Sequence, residues 1–456
     1  MLDAAIAAIA TPLGEGGLAV VRLSGANAFA VADKCFLPVG KSSLKPSVAP
    51  THTIQFGKIT RDGAAIDEVL LAVLRAPRTF TREDTVEISC HGGLLPAKLV
   101  LDALLASGAR QAEPGEFTKR AFLNGRIDLA QAEAVADLIH SRTELALTAA
   151  NEQLAGKLSR RINQLRDDLM LTLAHVEAHL DFPDEDISPD TKEKLTQRLE
   201  NGIAFMDELL RTANEGQILR RGIRAAIIGR PNAGKSSLLN QLLGHDRAIV
   251  SHLPGTTRDT IEETANIRGI PVVFIDTAGL RESHDEIERE GIRRSRESLT
   301  HSEFILHVLD SSESLTTADE NYFSEFADKK RIIVCNKTDL PVKLNLPENL
   351  LSPVVDVCSV SGQGIESLKD AIKSLAWSGE IKAEMLQVAI NSRHQDALNR
   401  ARSATRQAGD ALRNDLMLEL VAMDLRIAAS AIGEVVGKTT TEDLLDSIFS
   451  TFCIGK

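Results

Sequence analysis

Residues 225–240 read "AAIIGRPNAGKSSLLN", and the architecture follows from this stretch. A short apolar run leads into a glycine-framed loop, and the loop opens into residues with helical spacing. Gly229, Gly234, Lys235 and Ser236 satisfy G-x-x-x-x-G-K-[ST] in the strand–loop–helix setting that this pattern requires. In such a loop the backbone N–H groups point inward at a phosphate. Asn232, Ala233, Gly234, Lys235, Ser236 and Ser237 are therefore the expected phosphate contacts. Lys235 reaches the β and γ oxygens, where it can stabilise charge during hydrolysis, and the Ser236 hydroxyl is a Mg²⁺ ligand.

Three companions follow in order. "PGTTRD" (254–259) supplies Thr257, a second Mg²⁺ ligand able to sense the γ-phosphate. "FIDTAG" (274–279) ends a strand with Asp276, placed to hold the metal shell. Thr277, Ala278 and Gly279 follow it, and the Gly279 N–H can meet the γ-phosphate. "VCNKTD" (334–339) ends another strand with Asn336, Lys337 and Asp339. The Asp339 carboxylate can accept from guanine N1–H and N2–H₂, and Asn336 contacts N7. Adenine would leave that carboxylate unpaired, so the nucleotide is GTP. "CSVSGQG" (358–364) stands where GTPases usually carry a Ser-Ala pair offering backbone N–H to guanine O6. Here the pair is Cys358 and Ser359. Leu280 occupies the position where many GTPases place a water-orienting Gln. Among the acids of "LRESHDEIERE" (280–290), Glu288 is the candidate that positions water.

The chain has 456 residues, enough for about three domains at roughly 150 residues each. Lys and Arg number 52 against 64 Asp and Glu, a net charge of −12 that repels polyanions at long range. Contact with nucleic acid then needs a local basic patch, for which "KLSRR", "LRRGIR" and "RHQDALNRARSATR" are candidates. One Trp and one Tyr argue against base-stacking platforms. Five scattered cysteines without a C-x-x-C pair exclude a disulfide framework and suit a reducing compartment. With no leader and no long apolar run, a cytoplasmic protein without a membrane span is expected. His175 and His179 lie one turn apart in "HVEAH", but no third metal ligand stands at a recognisable spacing.

Short apolar runs bounded by Gly and Pro fill the first part of the chain, as in an α+β domain. Apolar residues then recur at helical spacing. Leu154, Leu158, Ile162, Leu165, Leu169, Leu173, Val176 and Leu180 form a seam expected on one long helix. "DFPDEDISPD" breaks it, and Leu195, Leu199, Ile203, Met206 and Leu210 form a second seam, so an antiparallel hairpin is expected. From Arg224 the near-continuous apolar runs are those of parallel strands buried on both faces. The fold class is multidomain: an α+β N-terminal domain, an all-α helical bundle, and an inserted α/β P-loop GTPase domain of Ras-like type. The expected boundaries are 1–118, 119–220 (first helical part), 221–379 (G domain) and 380–456 (second helical part).

The chain resembles the MnmE (TrmE) family of tRNA-modification GTPases over its full length. The resemblance rests on "IAAIATPLGEGGLAVVRLSG", "HGG", "PGEFTKRAFLNGRIDLAQAEAVADLI", the GTPase motifs, and the closing "FCIGK". It implies a homodimer joined through the N-terminal domain, acting with the flavoprotein MnmG (GidA), which would carry FAD, in a heterotetramer. The implied substrate is tRNA, modified at C5 of the wobble uridine with an aminomethyl or carboxymethylaminomethyl group. The implied one-carbon donor is a 5-formyl- or methylene-tetrahydrofolate, with Arg22, Glu87, Arg126 and Lys456 at its site. Arg126 stands where Lys is more usual, keeping the charge but changing its shape. The resemblance also implies K⁺ in the place of an arginine finger, held by Asn232, Ser251, Leu253 and Thr256. Ser251 and Thr256 then border the GTP as well, and Glu288 is the acid that helps position water.

Two other readings compete: a ribosome-assembly GTPase, and a membrane-remodelling GTPase with a helical stalk. Neither accounts for the N-terminal domain. "TFCIGK" (451–456) is a poor prenylation box, because Gly455 replaces an aliphatic residue and Lys456 is atypical at the end. Under the family resemblance the tail points to the folate site, and Cys453 becomes a candidate catalytic thiol there.

Overall fold

A computed structural model describes residues 4–181, 189–244, 262–275, 302–347, 350–377 and 389–456. It divides into two compact units, residues 1–136 with 154–202 and 400–456, and residues 137–153 with 203–399.

In the first unit a seven-stranded sheet runs in the order β3-β4-β5-β6-β2-β1-β7. Its strands are β1 (Ile6–Ile9), β2 (Leu18–Ser24), β3 (Phe36–Pro38), β4 (Thr53–Arg61), β5 (Ala64–Leu74), β6 (Thr85–His91) and β7 (Arg110–Gln111). All neighbours are antiparallel except β1 and β7. Val21, Leu23, Leu71, Val73, Val86 and Ile88 alternate onto one face and are buried with Val100 and Leu104 of the helix Leu94–Ala106. The other face carries Arg22, Glu87, Leu70 and Phe56, because side chains alternate along a strand.

The helical part of this unit follows its apolar seams. Leu158, Ile162, Leu165, Leu169, Leu173 and Val176 are buried along the helix Lys157–Asp181. Leu154 is the exception to the single-helix expectation: it closes the preceding helix, Glu144–Leu154. Gly156 separates the two at φ +78, a conformation that glycine reaches without a Cβ penalty. Gly202 lies against Leu165, where a Cβ would stand 3.2 Å away, as an antiparallel hairpin with the helix Pro189–Arg211 requires. The breaker between them lies outside the described residues. The helix Leu418–Val436 packs antiparallel on Lys157–Asp181, with Arg426 paired to Glu177 at 2.7 Å and Gly433 against Arg166.

The second unit holds a six-stranded sheet in the order β13-β12-β11-β8-β10-β9. The strands are β8 (Ile223–Ile228), β9 (Glu262–Ile267), β10 (Ile270–Ile275), β11 (Phe304–Asp310), β12 (Lys330–Asn336) and β13 (Val354–Asp356). Only β9 pairs antiparallel. β10 and β11 are buried throughout, as their unbroken apolar runs dictate. The protein is thus multidomain, with an α+β N-terminal part, helical segments, and an α/β P-loop domain lying between them in sequence.

One core position is chemically unusual. His307 in β11 is fully buried, and among the described residues neither ring nitrogen has a hydrogen-bond partner. Its ring lies 4.8 Å from Phe323 and 5.8 Å from Tyr322. Burial, aided by the Arg331 charge and opposed by Asp319, pushes its pKa down from 6.5 to about 4. The unfolded chain therefore binds the extra proton first, between those values. This contribution is fully present above pH 6.5 and lost as pH falls toward 4, reaching about 3 kcal/mol. His307→Leu should remove that sensitivity. The check is urea unfolding at pH 5 and pH 7.5, where the variant's shift in midpoint should be clearly smaller than the parent's.

Candidate active site

The phosphate loop leaves the carboxyl end of β8, the edge at which open α/β sheets bind ligands. Gly229 has φ +146, and a Cβ there would stand 2.2 Å from the Val308 carbonyl, so β11 passes too close for any side chain. Gly234 has φ +95 and forms the cap of the helix Lys235–Leu243; a Cβ would strike the Asn336 amide at 2.1 Å. Asn232 is exposed, with φ +63, the left-handed region that Asn tolerates better than most residues. The Lys235 ammonium donates to the carbonyls of Gly229 at 2.9 Å and Arg230 at 2.7 Å. Burial pulls its pKa below the usual lysine range. Ala233 is buried beneath the loop, and Ser236 and Ser237 are exposed in the first helical turn. Arg230, which the sequence reading did not single out, ties the loop's flank to buried Asp319 at 2.9 Å and to Glu313 at 3.0 Å.

The Asn-Lys-x-Asp segment leaves β12 at the same edge. Asn336 is buried and joins two loops: its Nδ2 donates to the Ala233 carbonyl at 2.8 Å. Its Oδ1 accepts from the Ser359 N–H at 3.0 Å and the Ser359 hydroxyl at 2.8 Å. Lys337, at φ +65, reaches Asp310 at the end of β11 at 2.6 Å. Burial raises the Asp310 pKa, but bonds from Lys337 and Ser312 outweigh it and hold the carboxyl below its usual range. Asp339 is exposed, and its Oδ1 accepts from the Cys358 thiol at 3.2 Å. Cys335, beside Asn336, is pushed up to about 12 by burial and by Asp356, so it remains a protonated packing residue. Ser251, Leu253, Thr256, Thr257, Asp276, Thr277, Ala278, Gly279 and Glu288 lie outside the described residues.

A second cluster forms in the first unit. Arg22 and Glu87 are register partners on β2 and β6, with Nε to Oε1 at 2.8 Å. The Arg22 Nη1 also donates to the Gly455 carbonyl at 3.4 Å, and the guanidinium sits 5.7 Å from the Phe117 ring. Arg126 bonds the Thr79 carbonyl and lies 5.6 Å over Phe80, which packs in the same cluster as Phe117. The tail is pinned by backbone. Gly115 N–H donates to Cys453 O at 3.4 Å, Phe117 N–H donates to Lys456 O at 3.2 Å, and Ile454 bridges Pro114. Gly455 has φ +94, and a Cβ would stand 2.5 Å from the Ile9 carbonyl. Phe449 and Phe452, packed on Leu129 and Leu445, carry the tail inward. Cys453 is half-buried. Phe80 and Phe117 went unnoticed in the sequence because nothing local marks an aromatic floor beneath two arginines.

Among the described residues no group of three or more His, Cys, Asp and Glu side chains is arranged to hold a metal, His175 and His179 included. No helix among them is long and apolar enough to cross a membrane.

A glycine-framed lysine loop after β8 and an Asn-Lys-x-Asp segment after β12, on one edge of a largely parallel sheet, define a P-loop GTPase. Family models match "MnmE helical domain" over residues 129–453 and "GTP-binding protein TrmE N-terminus" over residues 5–126. The tRNA modification GTPase MnmE of Geobacillus kaustophilus is 47% identical over 458 residues, covering 99% of each chain. Those of Listeria innocua and Bacillus subtilis are 46% and 45% identical over 459 residues, again covering 99% of each chain. The chain belongs to the MnmE (TrmE) family of tRNA modification GTPases, and it is a GTP hydrolase.

Proposed function

We propose that this chain is a potassium-activated GTPase that works with the flavoprotein MnmG on tRNA. Together they add an aminomethyl or carboxymethylaminomethyl group at C5 of the wobble uridine, using a one-carbon unit from a tetrahydrofolate. The observation that carries the reading is the junction of the tail with Arg22 and Glu87. A guanidinium suits the glutamate carboxylates of a folate, a carboxylate suits the donor edge of a pterin, and Phe80 and Phe117 supply an apolar floor. Arg126 and the Lys456 backbone border the same floor, and Cys453 stands one turn of tail away, as the thiol proposed for the one-carbon chemistry.

In the nucleotide site Lys235, Ser236 and the loop N–H groups bind the phosphates. Mg²⁺ would be held by Ser236 and Thr257, where it neutralises charge on the β and γ oxygens. Asp339 reads the guanine N1–H and N2–H₂. Asn336 has one amide hydrogen beyond its bond to Ala233, available for N7. K⁺ would lie by Asn232, Ser251, Leu253 and Thr256, with Glu288 orienting water. Homodimerisation is supported by exposed Leu37, Ile54, Phe56 and Leu70 on the open sheet face, an apolar surface that a second N-terminal domain would cover. Hydrolysis does no covalent work on the RNA; it changes which domain arrangement is populated, in a cytoplasmic enzyme.

Nucleoside analysis tests this directly. tRNA from cells lacking the chain should lose the modified wobble uridine, and an Arg22→Ala copy should fail to restore it. Calorimetry of the intact protein with 5-formyl-tetrahydrofolate should show binding that the variant weakens by at least about tenfold, as loss of a charge-assisted bond implies. Unchanged tRNA, or no heat with the intact protein, would sink the proposal.

A further inference from the structure

In the fold, carboxylates neutralise arginines of the basic clusters that stand out in the sequence. Arg220 pairs with Asp137 at 2.6 Å, Arg221 with Glu303 at 2.7 Å, and Arg400 with Glu434 at 2.6 Å. The loop between β5 and β6 is different. Arg78 and Arg82 are exposed there, Arg126 is exposed beside them, and among the described residues none of the three has a carboxylate partner. They form a positive rim that is locked in place. The Thr79 carbonyl accepts from the Arg82 N–H at 3.4 Å and also from Arg126 Nη1. In return Arg82 Nη1 donates to the Asn124 carbonyl at 2.9 Å. Each of these two guanidiniums spends one N–H on backbone and keeps its others unbonded among the described residues. Arg82 sits at φ +58, a conformation disfavoured for a bulky side chain and kept only where the surroundings over-determine it. Here they do. Asn124 Nδ2 donates to the Thr81 carbonyl at 2.6 Å, and buried Arg120 donates from Nη1 to both Glu83 oxygens at 3.2 Å. Both acids of the loop are engaged: Glu83 also accepts from the Ser24 hydroxyl at 2.9 Å, and Asp84 from the Ala76 N–H at 2.9 Å.

We propose that Arg78 and Arg82, continuing from Arg126, bind the γ-linked glutamate chain of a folate that carries more than one glutamate. The inference rests on the reading that the junction at Arg22 and Glu87 binds a folate. A folate with its pterin at Glu87 and its benzoyl ring on Phe80 brings its first glutamate toward Arg126, whose guanidinium lies 5.6 Å from the Phe80 ring. The loop that carries Phe80 also carries Arg78 and Arg82, so the rim continues the same floor. Every further glutamate adds one carboxylate, and a guanidinium can meet a carboxylate through two parallel N–H bonds. A few arginines therefore match such a chain. RNA held by its backbone commonly enlists about 6–10 phosphates, more than three arginines answer in a chain of net charge −12.

The test is calorimetry of the full chain with 5-formyl-tetrahydrofolate bearing one glutamate and with the same compound bearing three. The triglutamate should bind about five- to tenfold tighter, the order that two solvent-facing ion pairs supply, and added salt should shrink the difference. Arg78→Gln combined with Arg82→Gln should abolish the preference. If that double variant does not fold, Arg78→Glu, a change at an exposed side chain, must cut the preference at least about twofold, and Arg78→Lys must keep most of it. A parent that binds the two ligands equally overturns the proposal, and so does a folded double variant with the parental preference. A double variant that keeps that preference but loses affinity for tRNA assigns the rim to RNA and overturns the proposal too. No heat with the monoglutamate is a separate result: the folate reading itself then fails, and the proposal with it.

Discussion

Asp339→Asn is expected to weaken GTP binding by about a hundredfold or more and to move the preference toward xanthosine triphosphate. The expectation follows from donor and acceptor matching. The aspartate is acceptor-only and suits two guanine donors, N1–H and N2–H₂. The asparagine amide turns one of those acceptors into a donor and sets it against a guanine N–H. Xanthine carries a carbonyl where guanine carries its amine, so the same amide finds an acceptor there. Sites that read a ligand by hydrogen bonds reject the mismatched analogue by about 10⁴–10⁵, which makes a hundredfold a conservative expectation for this exposed carboxylate. Competition of labelled GTP against GTP and xanthosine triphosphate measures it. A variant that discriminates as the parent does would remove Asp339 from the base site.

The second large effect is ionic. Exchanging K⁺ for Na⁺ should slow GTP hydrolysis by about a hundredfold or more while GTP binding persists. An arginine finger is worth about 10³–10⁵ in rate, none can be assigned from this sequence, and Leu280 stands in the place of a water-orienting Gln. Some other group must then neutralise charge developing between the β and γ phosphates, and the proposed one is K⁺. Asn232 is exposed in the phosphate loop, just before the N-terminus of the helix Lys235–Leu243, where the phosphates are expected. Na⁺ is smaller and would not span the same set of oxygens. Single-turnover hydrolysis in the two salts at equal ionic strength decides the matter, and equal rates would eliminate the ion. Asn232→Ala should reduce the difference between the salts if the ion lies beside that residue.

The nucleotide half of this protein was legible in its sequence because its determinants are local. A phosphate loop needs glycines where β11 and Asn336 approach, and Gly229, Gly234 and Lys235 all fall within residues 229–235 of the chain. Strands buried on both faces read as unbroken apolar runs, and helices packed on one face read as seams. Leu154 shows the limit of the seam: its spacing continues the next helix, but Gly156 breaks the backbone between them. Spacing reports which face is apolar, not whether the turns are continuous.

The tail illustrates the other kind of information. "FCIGK" carries a family resemblance in its letters, yet nothing local says that Gly455 offers its carbonyl to Arg22, 433 residues earlier. That contact exists because Phe449 and Phe452 bury themselves and deliver the last residues to the sheet edge. Likewise the sequence presents Cys358 as a departure from a motif whose contact is made through backbone. Only the folded turn aims its thiol at Asp339, and only the packed sheet leaves the His307 nitrogens without a hydrogen-bond partner among the described residues. By itself, then, the sequence determined the fold class, the GTPase motifs and the family, since these are written in short-range spacing and chemistry. The tertiary structure decided which side chain meets Asp339 and which residues meet at the tail, because those are matters of long-range contact and direction, which no period in the chain encodes.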